Sequence, residues 1–384
     1  MRPAASAPPV IVHLMPALTG IRFPLALWVV TNHLSGRGRM FGPLTTASPA
    51  AFALMDNAWV ALTVFFAISG FVLARRYYAT AWDGPTLVRY AVARFARIYP
   101  VYLISLLILV PIISAELRSG ALGPPAGQAG LVLNHILILQ GWRPPIVNWN
   151  TPAWSLTCEV FFYALFPIVI VLLRRPTWPR LAAAAAFAFA LPVALRMQLD
   201  PPIAKPLLYF GDFLIGVAAG RFYDRMHATG IVHAWIGPWL YGPAIAGGLL
   251  LVLYRNALGS FLVFDAGIRL TSVVLVFGLA CGGGALWRWL SSPLMVAGGG
   301  AAYAIYILHV PVLWWYERSD LRTALPPVVA GVVYIAMVVA LSVIVWRQIE
   351  LPANGIIRRW LSGPAQSRPV VADATPAAKR IGET

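Results

Sequence analysis

The chain has 384 residues, of which 60% are hydrophobic and only 11% are charged, and its mean hydropathy is +0.75. Water-soluble globular domains of this size do not sustain such a composition, so most of the chain is expected to face lipid. The formal charge of +16 does not indicate a nucleic-acid-binding protein, because the basic residues fall in short segments between apolar runs and not in one patch.

Ten apolar runs along the chain are long enough to cross a membrane as helices, and the short alternating strands of an outer-membrane barrel are not seen. The predicted spans are 18–34, 58–74, 98–113, 154–173, 181–195, 206–220, 236–254, 267–285, 294–315 and 327–346. An eleventh apolar piece, 130–141, is short and is predicted to be re-entrant or interfacial. The predicted fold is therefore an all-α polytopic helical bundle.

Lys and Arg are concentrated in alternate loops, which favours an orientation with both termini in the cytosol. The predicted organisation is a cytosolic N-terminal segment at 1–17, a transmembrane domain at 18–346 and a largely disordered cytosolic tail at 347–384. The first apolar run is predicted to be a span and not a signal peptide, because it carries Arg22 and His33. The sequence shows no internal repeat of the kind common in secondary transporters.

Ionisable residues inside the predicted spans are energetically costly and usually functional. They are Arg22, His33, Glu159, Asp212 and His309. The 11-residue spacing from Arg22 to His33 places both on nearly the same helix face, roughly 16 Å apart along the axis. In the predicted orientation the two histidines and the two carboxylates fall toward the outer side, and Arg22 falls toward the cytosolic side.

Each of these features also has a plain structural explanation. The arginines between Arg75 and Arg97 can form an ordinary positive-inside loop, and a histidine in a membrane can simply hydrogen-bond between helices. Glu159 can pair with an arginine, and Trp154 can belong to an interfacial aromatic belt. These residues therefore predict a polar core without choosing among functions.

Five motifs, taken together, resemble the type-3 family of membrane acyltransferases, which includes acetylases of O-antigens, exopolysaccharides and nodulation factors, and macrolide acylases. The motifs are Arg22 with Asn32-His33 in the first span, FFAISGF at 65–71, the paired Arg94 and Arg97, WSLTCE from Trp154 to Glu159, and His309 shortly before a proline. They follow the family's order over most of the chain.

The resemblance implies an enzyme of the bacterial cytoplasmic membrane that transfers an acyl group, often acetyl, from acyl-coenzyme A in the cytosol to a hydroxyl of a glycan or other envelope-associated acceptor. It implies His33 as general base, with Glu159 and Arg22 as further catalytic residues. The arginines expected to hold coenzyme A are Arg94, Arg97, Arg75, Arg76 and Arg89. The residues expected to bind the acceptor are Trp154, His309, Asn32 and Asp212. The resemblance implies no metal.

Other functions are compatible with the same residues. An acyl-serine intermediate on Ser69 or Ser155 is an alternative to direct transfer. A transporter or flippase for an acylated or anionic small molecule is the main alternative function, because a polar corridor with arginine at one end also suits an anion. A hydrolase that releases the acyl group to water is a third.

Overall fold

The structure is a computed structural model that describes residues 15–36, 38–120, 124–143, 147–198, 203–258 and 261–362. Within these residues every regular element is a helix, which confirms the all-α prediction. The α-helices are α1 (Pro16–Gly20), α2 (Arg22–Leu34), α3 (Gly42–Ala47), α4 (Pro49–Asp56), α5 (Val60–Tyr77), α6 (Gly84–Arg118), α7 (Pro125–Ile136), α8 (Trp154–Leu172), α9 (Trp178–Gln198), α10 (Lys205–Ala228), α11 (Ile236–Leu253), α12 (Phe261–Cys281), α13 (Gly284–Leu290), α14 (Pro293–Tyr316), α15 (Leu321–Ala324), α16 (Pro327–Val345) and α17 (Leu351–Ser362).

Eight helical segments in the described ranges are long and apolar enough to cross a membrane, so the chain is a polytopic membrane protein. Two predicted spans fall below that standard for physical reasons. α2 has only 13 residues, and α10 carries the buried ionisable residues Asp212 and Arg221. The count of ten crossings and the cytosolic position of both termini stay predictions.

The apolar piece predicted at 130–141 is only partly helical. α7 ends at Ile136, and the chain turns at Ile138, whose φ of 56° lies in the left-handed region. A helix of 12 residues is too short to span a bilayer. The hydroxyl of Tyr102 in α6 donates to the carbonyl of His135 at 2.6 Å, so α7 is held against α6.

The centre of the bundle is the contact between α5 and α10, the most extensive helix pair. Glycine permits the close approach: a Cβ on Gly70 would lie 2.2 Å from the carbonyl oxygen of Phe213, and a Cβ on Gly216 would lie 2.2 Å from that of Ala67. Small residues are typical of membrane helix contacts, because close packing supplies the attraction that lipid does not. α5 is thereby fixed beside the cavity described below.

α6 begins at a well-formed cap. The carboxylate of Asp83 accepts a hydrogen bond from the backbone N–H of Thr86 at 2.8 Å. Hydrogen bonds from Thr86 hold the pKa of Asp83 below its usual range, so the cap is charged at neutral pH and suits the positive end of the helix. The helix then continues through Arg94 and Arg97, and both arginines are carried on one rigid element.

The last span does not end at residue 346. A π-helical turn, Trp346–Glu350, joins α16 to α17. Pro352 has no N–H to donate to the carbonyl one turn back, and a π turn accommodates such a break. The predicted domain boundary after 346 therefore lies inside a continuous helix. Residues 363–384 of the predicted tail and 1–14 of the predicted N-terminal segment lie outside the described residues.

Candidate active site

A cavity of about 440 Å³ lies among α2, α5, α6, α8, α14 and the π turn before α17; we call it the basic cavity. The charged residues that line it are Arg22, Arg76, Arg94, Arg97, Glu159 and Glu350. Arg76 lies at the end of α5 and marks the mouth, with Asn354 of α17. Arg22 and Glu159 also line a second, smaller cavity, and we call the part of the basic cavity that they line its deep end.

Some atoms of the charged groups that line the basic cavity have no hydrogen-bond partner in the described part of the chain. Among the described residues, Nε of Arg22, Nε of Arg94 and Oε2 of Glu350 are buried and make no hydrogen bond. Buried polar groups nearly always find a partner, and leaving a charged one unpaired is costly. Unpartnered groups around one cavity therefore indicate a ligand that supplies both hydrogen-bond acceptors and donors.

A short hydrogen-bond chain runs along one wall of the basic cavity. The hydroxyl of Tyr163 donates to Oε2 of Glu159 at 3.0 Å, so the hydroxyl of Ser69, 3.2 Å away, donates to Tyr163. The hydroxyl of Ser155 donates to the carbonyl of Pro152 at 3.0 Å. Ser69 and Ser155 therefore contact a phenol and a backbone carbonyl, and neither contacts a general base such as a histidine that would activate it as a nucleophile.

The smaller cavity shares part of its lining with the basic cavity and includes a neighbour of His309, although neither His33 nor His309 lines either cavity. Arg22, Phe65 and Glu159 line both cavities, and the smaller one also includes Tyr306. The ring of Tyr306 lies 6.1 Å from the ring of His309, measured between centroids. The deep end of the basic cavity therefore approaches the histidines through Tyr306.

His33 and His309 form a pair where α2 packs against α14. Nε2 of His309 lies 3.2 Å from Nδ1 of His33, and the ring centroids are 4.8 Å apart in an edge-to-face arrangement. Nδ1 of His33 also lies 3.3 Å from the carbonyl of Val29, and Nδ1 of His309 lies 3.2 Å from that of Ile305. A carbonyl only accepts, so each Nδ1 carries a proton. Nε2 of His309 then accepts from His33.

This arrangement leaves Nε2 of His33 with its lone pair free to act as a base. It lies 3.4 Å from the hydroxyl of Thr151, in the turn before α8, which shows that a hydroxyl fits at hydrogen-bond range. The backbone carbonyl of His33 accepts from Arg39 at 2.7 Å, and that of His309 accepts from the hydroxyl of Tyr334. Both histidines are thus held by their rings and by their main chain.

Three of the five arginines expected to hold coenzyme A line the basic cavity, and the other two make different contacts. Nε of Arg75 pairs with Asp224 at 2.8 Å. Arg89 donates to the hydroxyl of Thr86 at 2.9 Å on the exposed surface of α6. Neither residue lines the basic cavity: Arg75 takes part in a contact between α5 and α10, and Arg89 contacts a residue of its own helix.

Three of the four residues expected to bind the acceptor take part in contacts between helices. The ammonium group of Lys205 lies 3.9 Å from the ring centroid of Trp154. The amide of Asn32 donates to a carbonyl of α4 at 2.8 Å. Asp212 accepts from Nε of Arg269 at 2.7 Å, and both side chains are almost fully buried. The fourth residue, His309, belongs to the histidine pair.

Thr151 and Glu350 are among the residues at the site that the sequence candidates did not include. Thr151 lies in a turn, where no periodic pattern singles out one position. Glu350 follows the predicted end of the last span, although a carboxylate close to an apolar run is a signal that extending the span would have found. In the described ranges no three His, Cys, Asp or Glu side chains form a group suited to a metal ion.

Comparison with known proteins agrees with these features. Residues 15–347 match the family described as an acyltransferase domain. The acyltransferase MdmB of Streptomyces mycarofaciens is 30% identical over 331 residues, which cover 81% of this chain and 82% of that protein. Protein 2 in the picA locus of Rhizobium radiobacter is 36% identical over 163 residues, which cover 39% of this chain and 78% of that protein. No solved structure matches the chain.

Proposed function

The chain belongs to the type-3 family of membrane acyltransferases, and from that premise we propose that it transfers an acyl group, acetyl in the first instance, from acyl-coenzyme A to an acceptor hydroxyl. Membership makes it an integral membrane enzyme that transfers acyl groups. The identity of the donor and the histidine base belong to our proposal. The observation that supports it best is the basic cavity, in which the buried Nε atoms of Arg22 and Arg94 make no hydrogen bond to any described residue.

The donor is proposed to enter the basic cavity with its phosphates at Arg76, Arg94 and Arg97. Guanidinium groups bind phosphate through paired, charge-assisted hydrogen bonds, and three of them at one mouth suit a ligand with several phosphates. Arg22 is about 16 Å from His33 along the helix axis. Arg22 is therefore assigned to the donor's arm and not to the carbonyl carbon that reacts near His33.

The reaction is proposed to occur beside His33 in one direct transfer. Nε2 of His33 takes the proton of the acceptor hydroxyl as its oxygen attacks the thioester carbonyl. The new ester bond forms, the carbon–sulfur bond breaks, and coenzyme A leaves as a thiolate that recovers the proton from His33. His309 accepts from Nδ1–H of His33 throughout and steadies the imidazolium that forms, so it is a positioning residue.

The acceptor is proposed to be a hydroxyl of a glycan or another envelope-associated molecule, and the enzyme is proposed to lie in the bacterial cytoplasmic membrane. Neither histidine lines the basic cavity, and Thr151, which contacts His33, lies outside it as well. Donor and acceptor can therefore approach from different ends of the bundle, so that neither must leave before the other binds.

Inverted membrane vesicles test this proposal. Vesicles that carry wild type or His33→Ala are incubated with radiolabelled acetyl-coenzyme A, and label is followed in the envelope glycan fraction, on added small-molecule hydroxyl compounds and as free acetate. Label on an acceptor with wild type alone is the expected result. Free acetate as the sole product would indicate a hydrolase. If the vesicles consume no acyl-coenzyme A across a series of acyl chain lengths, coenzyme A thioesters are refuted as the donor.

A further inference from the structure

Glu350 is an unusual wall residue for a cavity that receives phosphates. It is only 3% exposed, its Oε2 makes no hydrogen bond to any described residue, and it lines the basic cavity with Arg22 and Arg97. No ion pair within 4.0 Å joins it to either arginine in the described part of the chain. If Glu350 only balanced the charge of these arginines, it would be expected to pair with one of them directly. Its Oε2 makes no such contact, which indicates that a ligand supplies the partner.

The chemistry of a carboxylate limits what that ligand group can be. An ionised carboxylate only accepts hydrogen bonds, whereas a phosphate at neutral pH offers acceptors and is repelled by it. The partner of Glu350 must therefore be an uncharged or positive donor such as an amide N–H. Arg22, which is assigned to the donor's arm, offers only donors, so it suits a carbonyl oxygen of the same ligand.

The position of Glu350 also separates it from the mouth. Asn354 lies one helical turn further along α17 and lines the mouth, whereas Trp346 lies one turn deeper and packs against Gly300 of α14. Glu350 therefore faces the middle of the cavity. In a bound acyl-coenzyme A, the part that follows the phosphates is the pantetheine arm, which contains two amides.

We propose that Glu350 accepts a hydrogen bond from an amide N–H of the donor's pantetheine arm and thereby sets how deeply the thioester enters. The proposal rests on the proposed function, because it assumes an acyl-coenzyme A in the basic cavity. It makes Glu350 a specificity residue: the enzyme selects a thioester on an amide-bearing arm over other phosphorylated anions. Glu350 is the last residue of the π turn, and it lines the cavity.

Binding of an unreactive donor tests this without knowledge of the acceptor. The probes are desulfo-coenzyme A and two analogues in which one or the other arm amide is replaced by an ester, which removes a single N–H. Full-length wild type, Glu350→Leu and Glu350→Gln are measured in detergent by calorimetry. The control is Gln348→Leu, which alters an exposed residue of the same π turn. Thermal unfolding verifies that each variant is folded.

A hydrogen bond to a charged group contributes about 1.5–3 kcal/mol, which is a factor of about 10–150 in affinity. We expect one ester analogue to bind wild type weaker by such a factor. Glu350→Leu should weaken desulfo-coenzyme A by a similar factor and no longer distinguish that ester from the amide. Glu350→Gln, which keeps a carbonyl acceptor, should lose only part of the affinity, and Gln348→Leu should resemble wild type.

Two other results would overturn the proposal in different ways. If Glu350→Leu weakens the amide and ester probes equally, Glu350 only balances the charge of the arginines, and the proposed function stands. If wild type binds neither desulfo-coenzyme A nor an acyl-coenzyme A, the proposed donor is wrong and this inference is refuted with it.

Discussion

The histidine pair allows a quantitative test of how the base is positioned. His309→Phe removes the acceptor of the hydrogen bond from Nδ1 of His33 and retains a ring of similar size in the buried site. His33 keeps its contact with the carbonyl of Val29 at 3.3 Å. The base therefore remains present, but its imidazolium form loses one of two acceptors.

The size of the effect follows from the charge that develops on His33. A hydrogen bond between neutral groups contributes about 0.5–1.5 kcal/mol, and one to a charged group about 1.5–3 kcal/mol. The difference is available only in the transition state, when His33 carries the acceptor's proton. That difference is about 1–1.5 kcal/mol, so we expect His309→Phe to lower kcat about 5- to 13-fold, whereas His33→Ala should lower it about 10²- to 10⁴-fold.

The two histidines should act as one unit. The double variant of His33→Ala and His309→Phe is expected to transfer acyl groups at a rate within about threefold of that of His33→Ala. His309 has nothing to position once the base is gone. The assay is initial-rate acyl transfer in vesicles with matched amounts of protein. His135→Gln, another buried histidine that hydrogen-bonds to a carbonyl, is the control. Additive losses in the double variant would refute the view that His309 acts through His33.

Three further changes probe other parts of the structure. Arg97→Gln should raise the Michaelis constant for the acyl donor about tenfold or more, because a charged hydrogen bond to phosphate is lost, whereas exposed Arg347→Gln should leave it unchanged. Asp212→Asn should lower the free energy of unfolding in detergent by about 3–5 kcal/mol, because it leaves Arg269 buried without its charge partner. The double variant Asp212→Leu with Arg269→Met should recover most of that stability. If Asp212→Asn instead loses acyl transfer with no loss of stability, Asp212 binds the acceptor. Gly299→Ala should reduce transfer and thermal stability together, because its Cβ would lie 1.9 Å from a carbonyl oxygen of α1.

The sequence identified Asp212 and His309 as ionisable residues within spans, because such groups stand out in apolar runs, and both are buried; it missed the buried Glu350. It could not predict their partners. His33 and His309 are 276 residues apart, and no pattern within α2 or α14 specifies that these helices pack together. The same limit applies to Asp212, whose cost of burial was evident from the sequence but whose partner Arg269 on α12 was not.

The paired arginines of α5 show a second limit. Consecutive residues of a helix point about 100° apart, so Arg75 and Arg76 cannot both face one cavity. The structure directs Arg75 to Asp224 on α10 and Arg76 to the basic cavity. The choice depends on where α10 lies around α5, which is a property of the assembled bundle and not of the local sequence.

α2 connects the two ends of the proposed reaction, since Arg22 at its start lines the basic cavity and His33 near its end contacts α14. The position of α2 along α14 is fixed twice. At one end Gly299 of α14 packs directly on the carbonyl of Thr19 in α1, and at the other end His309 of the same helix contacts His33. A shift of α1 and α2 together along α14 by one turn, about 5.4 Å, would break both contacts. The glycine contact far from the histidines therefore helps to hold the base at a set distance from the cavity that is proposed to bind the donor.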